Sequence, residues 1–120
     1  MKPIILLVED NENNRYLAQF LLEREGFSVA LAVNGKQALE AARLSKPDLV
    51  VMDIQMPEMD GYEAVAILRK KGYKRPIAAL TAHALRSEKA QSLERGFDEY
   101  LTKPVNLPVL VNTVKRLSEA

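Results

Sequence analysis

Cysteine is absent from the 120 residues. Its absence removes disulfide frameworks, thiolate chemistry and cysteine-based zinc sites, and it agrees with a reducing compartment. A dominant charge sign is also missing. Seventeen Lys and Arg against sixteen Asp and Glu leave a formal charge of +1. No global field therefore draws the chain toward nucleic acid or an anionic membrane, and any charged function must be local. No window approaches the ~20 apolar residues of a membrane span. The amino-terminal apolar run stops at Glu9 and Asp10, short of a secretory segment with its ~7–15 apolar residues and small-residue cleavage site. A cytoplasmic location is expected. Linkers, low-complexity stretches and short-period repeats are lacking. There is no GxxxxGK[ST] run either, which excludes a nucleotide-hydrolysing P-loop at the level of motif.

What is present is the balance of a soluble globular protein, 48% hydrophobic and 28% charged. The length suits one domain, residues 1–120, that buries about two-thirds of its unfolded surface. Short, nearly continuous apolar runs recur at residues 4–8, 29–33, 49–52 and 77–80, with a weaker fifth at 100–101. They have strand length, and their lack of alternation predicts burial on both faces. Helical spacing fills the intervals: Leu17, Phe20 and Leu21; Ala64, Val65 and Leu68; and, clearest, Leu107, Leu110, Val111, Val114 and Leu117.

The punctuation agrees with this reading. Gly26, Gly72 and Gly96 follow helical stretches, where a left-handed cap favours glycine, and Pro47 and Pro76 precede apolar runs. Asp60 with Glu63 resembles a capping box, and Asn106 is placed to cap the last helix. Asn34-Gly35 reads as a helix start, because alanine-rich residues 36–44 follow it. A β-α unit repeated five times predicts an α/β fold, with a parallel five-stranded sheet and helices on both faces.

In such a sheet all strand carboxyl ends share one edge, and ligands bind beyond it where the strand order reverses. Just past the strands stand Glu9 and Asp10, then Asp53, Thr81 and Lys103. With strand order 2-1-3-4-5, Asp10 and Asp53 come within reach of one cation. Three crowded carboxylates are resolved by a raised pKa, a cationic partner or a hard cation, and Lys103 alone cannot neutralise three. Mg2+ suits a small all-oxygen site open to water, with Mn2+ as a substitute. A carboxylate is also a competent phosphoryl acceptor. That transfer needs positioning and charge neutralisation, roles that Mg2+, Lys103 and Thr81 fit.

The blocks VEDNENN, VVMDIQMPEMDGYE, LTAHA and EYLTKP, in this order and over essentially the whole chain, resemble those of bacterial two-component receiver domains. The resemblance implies a flavodoxin-like doubly wound fold with five helices. It implies Asp53 as phosphoacceptor, Asp10 and Glu9 as metal ligands, and the Gln55 backbone carbonyl as another. Many members carry Asp where this chain has Glu9, whose extra methylene changes its reach. Thr81 and Lys103 are implied to contact the phosphoryl group, Lys103-Pro104 to be a cis peptide, and Tyr100 to swing inward on activation. The resemblance also implies that Gln55 and His83 hold the two positions that tune acyl-phosphate lifetime. The implied partners are a sensor histidine kinase or histidine phosphotransfer protein, and a downstream protein bound at the face of the fourth helix, fifth strand and fifth helix.

Blander readings stand beside these: a helix cap for Asp10, an ordinary strand end for Thr81, half-buried packing for Tyr100 and an exposed loop position for His83. Two other functions compete. An aspartyl-nucleophile phosphatase would carry D-x-D, but Gln55 stands at the second acid. A flavin site would place Gly, Ser or Thr after the first strand, where Glu9-Asp10-Asn11-Glu12 stands instead. A signalling domain limited to its own phosphorylation and dephosphorylation is expected rather than a turnover enzyme. Output is expected by protein contact, either from a free-standing regulator or from a receiver belonging to a hybrid kinase.

Overall fold

The computed structural model describes residues 2–56, 59–81, 90–91, 93–103 and 106–118, with Leu107 described by its backbone only. The strands are β1 (Ile4–Val8), β2 (Ser28–Ala32), β3 (Leu49–Asp53), β4 (Ile77–Thr81) and β5 (Glu99–Thr102). All pairs are parallel, and the order is β2-β1-β3-β4-β5. The second strand begins one residue before its apolar run. Val33 leaves the sheet because its N–H donates to Gln37 Oε1 at 3.1 Å, at the start of the next helix.

Four complete helices are described: α1 (Glu12–Arg24), α2 (Gly35–Ser45), α3 (Gly61–Lys70) and, here numbered α4, Leu107–Ser118. The remaining expected helix falls largely on residues 82–89 and 92, outside the described residues, although 90–91 and 93–94 are helical. Each cap is a local side-chain bond. Asn34 Oδ1 accepts from Gln37 N at 2.8 Å, Asp60 Oδ1 from Glu63 N at 2.9 Å, and Asn106 Oδ1 from Val109 N at 3.2 Å. Gly26 and Gly72, at φ +97° and +96°, provide the left-handed turns after α1 and α3.

Alternate residues of the strands serve opposite cores. Leu6, Val8, Val50, Met52, Ile77 and Ala79 pack with Ala38 and Ala42 of α2 and Ala64, Val65 and Leu68 of α3. Ile5, Leu7, Leu49, Val51, Ala78 and Leu80 pack with Leu22 of α1 and Leu110, Val114 and Leu117 of α4. The stripe read on α1 is displaced. Leu17 and Phe20 are 47% and 51% exposed, while Leu22 is buried with Ala18 against it. Apolar residues surround this helix, so spacing alone does not select the inward face.

Candidate functional site

The 2-1-3 portion of the strand order places the carboxyl ends of β1 and β3 side by side at the reversal point, with Val8 in register with Met52. Glu9 and Asp10 follow β1, and Asp53 ends β3. Each of the three offers a carboxylate oxygen, and these oxygens lie within 4.8 Å of one another. Glu9 and Asp53 are buried, at 3% and 1% exposed, whereas Asp10 faces solvent. Asp10 is not a cap: Asn11 caps α1 by accepting from Asn14 N at 2.9 Å.

Lys103 follows β5 and enters this group. Its Nζ lies 2.5 Å from Asp53 Oδ2 and 3.1 Å from Glu9 Oε2. The Lys103 N–H donates to the Thr81 carbonyl at 2.7 Å, which ties the lysine to the end of β4. Asp53 Oδ1 accepts from Gln55 N at 3.0 Å, so both carboxylate oxygens are oriented. Burial raises the Glu9 carboxyl above its ordinary range, although the Lys103 charge and the Asn11 N–H pull the other way. Burial by itself would depress Lys103, but its hydrogen bond to Asp53 and the charges of Asp53 and Glu9 outweigh that, and its ammonium is stabilised.

The donor set fits a small hard cation. Two oxygens on opposite sides of an octahedral Mg2+ lie about 4.2 Å apart, so the observed spread closes by small side-chain rotations. Thr81 is buried at the end of β4 and lines, with Gln55, Asp60, Tyr62 and Gln91, a cleft of about 450 Å3 beside Asp53. Tyr100 is half-buried on β5, paired in register with Ala79 two residues before Thr81. His83 and Pro104, and with them the lifetime-tuning histidine and the expected cis peptide, lie outside the described residues.

Two supports of the site have no motif of their own. Arg15 Nη1 donates to the Glu9 carbonyl at 3.0 Å and holds the acidic turn from α1. Gly61 opens α3 against the turn that follows Asp53. A Cβ there would lie 2.7 Å from Ile54 Cα and 2.8 Å from the Asp53 carbonyl oxygen, and the Gly61 N–H donates to the Ile54 carbonyl at 2.8 Å. Only glycine permits that approach. Asp60 with Glu63 marks the helix start in the sequence, but the Gly61 contact joins segments that only the fold brings together.

A doubly wound α/β sheet with three acids, a hydroxyl and an ammonium at its switch point defines a class of cation- and anion-handling domains, and comparison with known proteins narrows it. The family model for the response regulator receiver domain matches residues 5–115, and the chain belongs to that family of two-component signalling domains. It is 36% identical over 117 residues to the polar-differentiation response regulator DivK of Brucella anthropi, spanning 96% of this chain and 95% of DivK. It is 44% identical over 117 residues to the sensor histidine kinase GacS of Pseudomonas protegens, spanning 93% of this chain and 13% of GacS. Among solved structures, it is similar to the receiver domain of a sensor histidine kinase from Pseudomonas aeruginosa PAO1, which has a magnesium ion coordinated in its active-site cleft. The TM-score is 0.89 and the identity 34%, with 100% of both chains covered.

Proposed function

We propose that the protein accepts a phosphoryl group on Asp53 from a partner's phosphohistidine and answers by changing its protein-binding surface. The observation that carries this reading is the environment of Asp53. Its carboxylate is buried at the sheet edge, with one oxygen held by the Gln55 N–H and the other by the Lys103 ammonium. A carboxylate fixed in this way attacks phosphorus in line. The new bond is Asp53 O–P, the bond broken is histidine N–P, and the imidazole leaves and takes a proton.

Lys103 neutralises charge on the transferring group, and the Thr81 hydroxyl donates to another of its oxygens. Glu9, Asp10, Asp53 and the Gln55 carbonyl would hold Mg2+, with Mn2+ as a substitute, and the ion would supply charge neutralisation for the transfer. Gln55 and His83 are assigned to control of water attack on the acyl phosphate. The domain acts on its own aspartate rather than turning over a free substrate, and the absence of a second acid at Gln55 argues against a small-molecule phosphatase.

In the switching step, phosphate draws Thr81 inward, vacating space into which the Tyr100 ring moves. This reshapes the face formed by the segment between β4 and β5 together with β5 and α4, where a downstream protein binds. A histidine kinase or a histidine phosphotransfer protein supplies the phosphoryl group, in the cytoplasm. The phosphate must favour the active arrangement by a few kcal/mol to shift the population appreciably.

Incubation with acetyl phosphate and Mg2+ followed by intact-mass measurement tests the assignment. A single phosphoryl adduct is expected in wild type, and none in Asp53→Asn or with a chelator. An undiminished adduct in Asp53→Asn would overturn it.

A further inference from the structure

At the opposite edge of the sheet, the carboxyl ends of α2 and α3 enclose a groove of about 780 Å3. That volume falls within the ~300–1,000 Å3 typical of small-molecule sites. Its rim is basic: Arg43 and Lys46 from the α2 side, Lys71, Lys74 and Arg75 from the α3 side. Its floor includes Leu39, Leu68 and Tyr73. Asp48 is the one acid lining it, and that carboxylate is already engaged. Its Oδ2 accepts from Ile4 N at 2.8 Å, and its Oδ1 faces Arg75 at 3.4 Å. Arg43 pairs with Glu40, whose carboxylate also feels the Lys71 charge, whereas Lys46 and Lys74 make no ion pair among the described residues.

Basic residues at helix carboxyl ends commonly offset the helix dipole, but that effect fades beyond the last turn, where Lys74 and Arg75 stand. Lys46 supplies a second, independent signal. It caps α2 in the left-handed conformation at φ +48°, the one non-glycine at positive φ among the described residues. Gly26, Gly72 and Gly96 fill the other left-handed positions. Holding a lysine there instead of glycine costs about 1 kcal/mol. A strained residue whose side chain lines a cavity points to use of that side chain.

We propose that this groove binds a nucleoside polyphosphate, with the phosphates held between the two basic walls and the base against Leu39, Leu68 and Tyr73. A single phosphate would leave one wall unmatched, because the cations flank the groove from both sides. An extended polyanion such as a nucleic-acid strand would not use the apolar floor. The groove adjoins Asp48, at the other end of β3 from Asp53, about 16 Å away at ~3.3 Å per residue. Binding is therefore independent of phosphoryl transfer.

The test is an NMR titration of the whole chain with ADP in EDTA, repeated with pyrophosphate, adenosine and an oligoglutamate peptide. Saturable shifts confined to Lys46, Tyr73, Lys74, Arg75 and their neighbours are expected, equal in Asp53→Asn. Pyrophosphate and adenosine are each expected to bind at least about tenfold more weakly than ADP. Lys46→Gly keeps the left-handed turn and is expected to melt no lower than wild type, yet to weaken ADP about tenfold by loss of one charge-assisted contact. Lys74→Gln should act likewise. Scattered or non-saturating shifts would overturn the proposal, as would pyrophosphate or oligoglutamate binding as tightly as ADP. Unchanged ADP affinity in both variants would do the same.

Discussion

The two edges of one parallel sheet carry opposite chemistry. At the carboxyl edge three acids cluster, and the two buried ones, Glu9 and Asp53, share a single ammonium, Lys103. At the amino edge five basic residues ring a groove whose one acid is occupied. The net charge of +1 therefore conceals two local fields of opposite sign. The edges also differ in construction. The acidic site is made of strand ends held by main-chain bonds, so its groups are fixed before any ligand arrives. The basic rim is made of long, exposed side chains around a fixed floor, which suits weaker and more adaptable binding.

The sharpest way to break this comparison is to remove the cation that the two buried acids share. Lys103→Met is expected to slow phosphoryl transfer from acetyl phosphate by about 10²–10³-fold, the usual cost of losing a charge-stabilising group. It should also destabilise the metal-free protein by about 2–3 kcal/mol, because Glu9 and Asp53 stay buried without a counter-charge. The Lys103 side chain is 24% exposed, which keeps this below the cost of breaking a fully buried pair. Added Mg2+ should recover much of that loss, as read by urea denaturation.

A smaller effect is expected from the support of the site. Gly61→Ala forces a methyl group against Ile54 Cα and the Asp53 carbonyl, and neither is the tip of a flexible side chain. A loss of about 1–3 kcal/mol is expected, together with slower phosphorylation. Wild-type stability would show that the α3 start can move away from the β3 turn.

The smallest change sharpens the contrast from the other edge. The Tyr73 hydroxyl, its pKa pushed up mainly by burial, donates to the Pro47 carbonyl at 3.1 Å and joins the two walls of the basic groove. Tyr73→Phe should cost about 1 kcal/mol in denaturant unfolding. It should leave the phosphorylation rate unchanged, since the two edges are separate sites.

The sequence signals that succeeded are local ones. Apolar runs announced the five strands, and Asn34, Asp60 and Asn106 each announced a helix start through a bond three residues along the chain. Reactive residues past the strand ends were legible because a parallel sheet sends every carboxyl end to one edge. The missed features are set by contacts through space. The inward face of α1 is chosen by what Leu22 meets rather than by the spacing of Leu17 and Phe20. Likewise Gly61 is required by backbone from a neighbouring turn, and Arg15 reaches back to Glu9 across a helix turn. The basic groove gathers residues 43–48 and 71–75, dispersed in sequence and each ordinary alone.

The most direct measurement is an NMR titration of the whole chain with Mg2+ and then beryllofluoride, which occupies the position of an aspartate-bound phosphoryl group. Signals of residues 9, 10, 53, 81 and 103 are expected to move in both steps or in the second, with Tyr100 following, while Lys46 and Tyr73 stay fixed. Unchanged signals at the carboxyl edge, or shifts that persist in full in Asp53→Asn, would contradict the assignment of Asp53 as the phosphoacceptor.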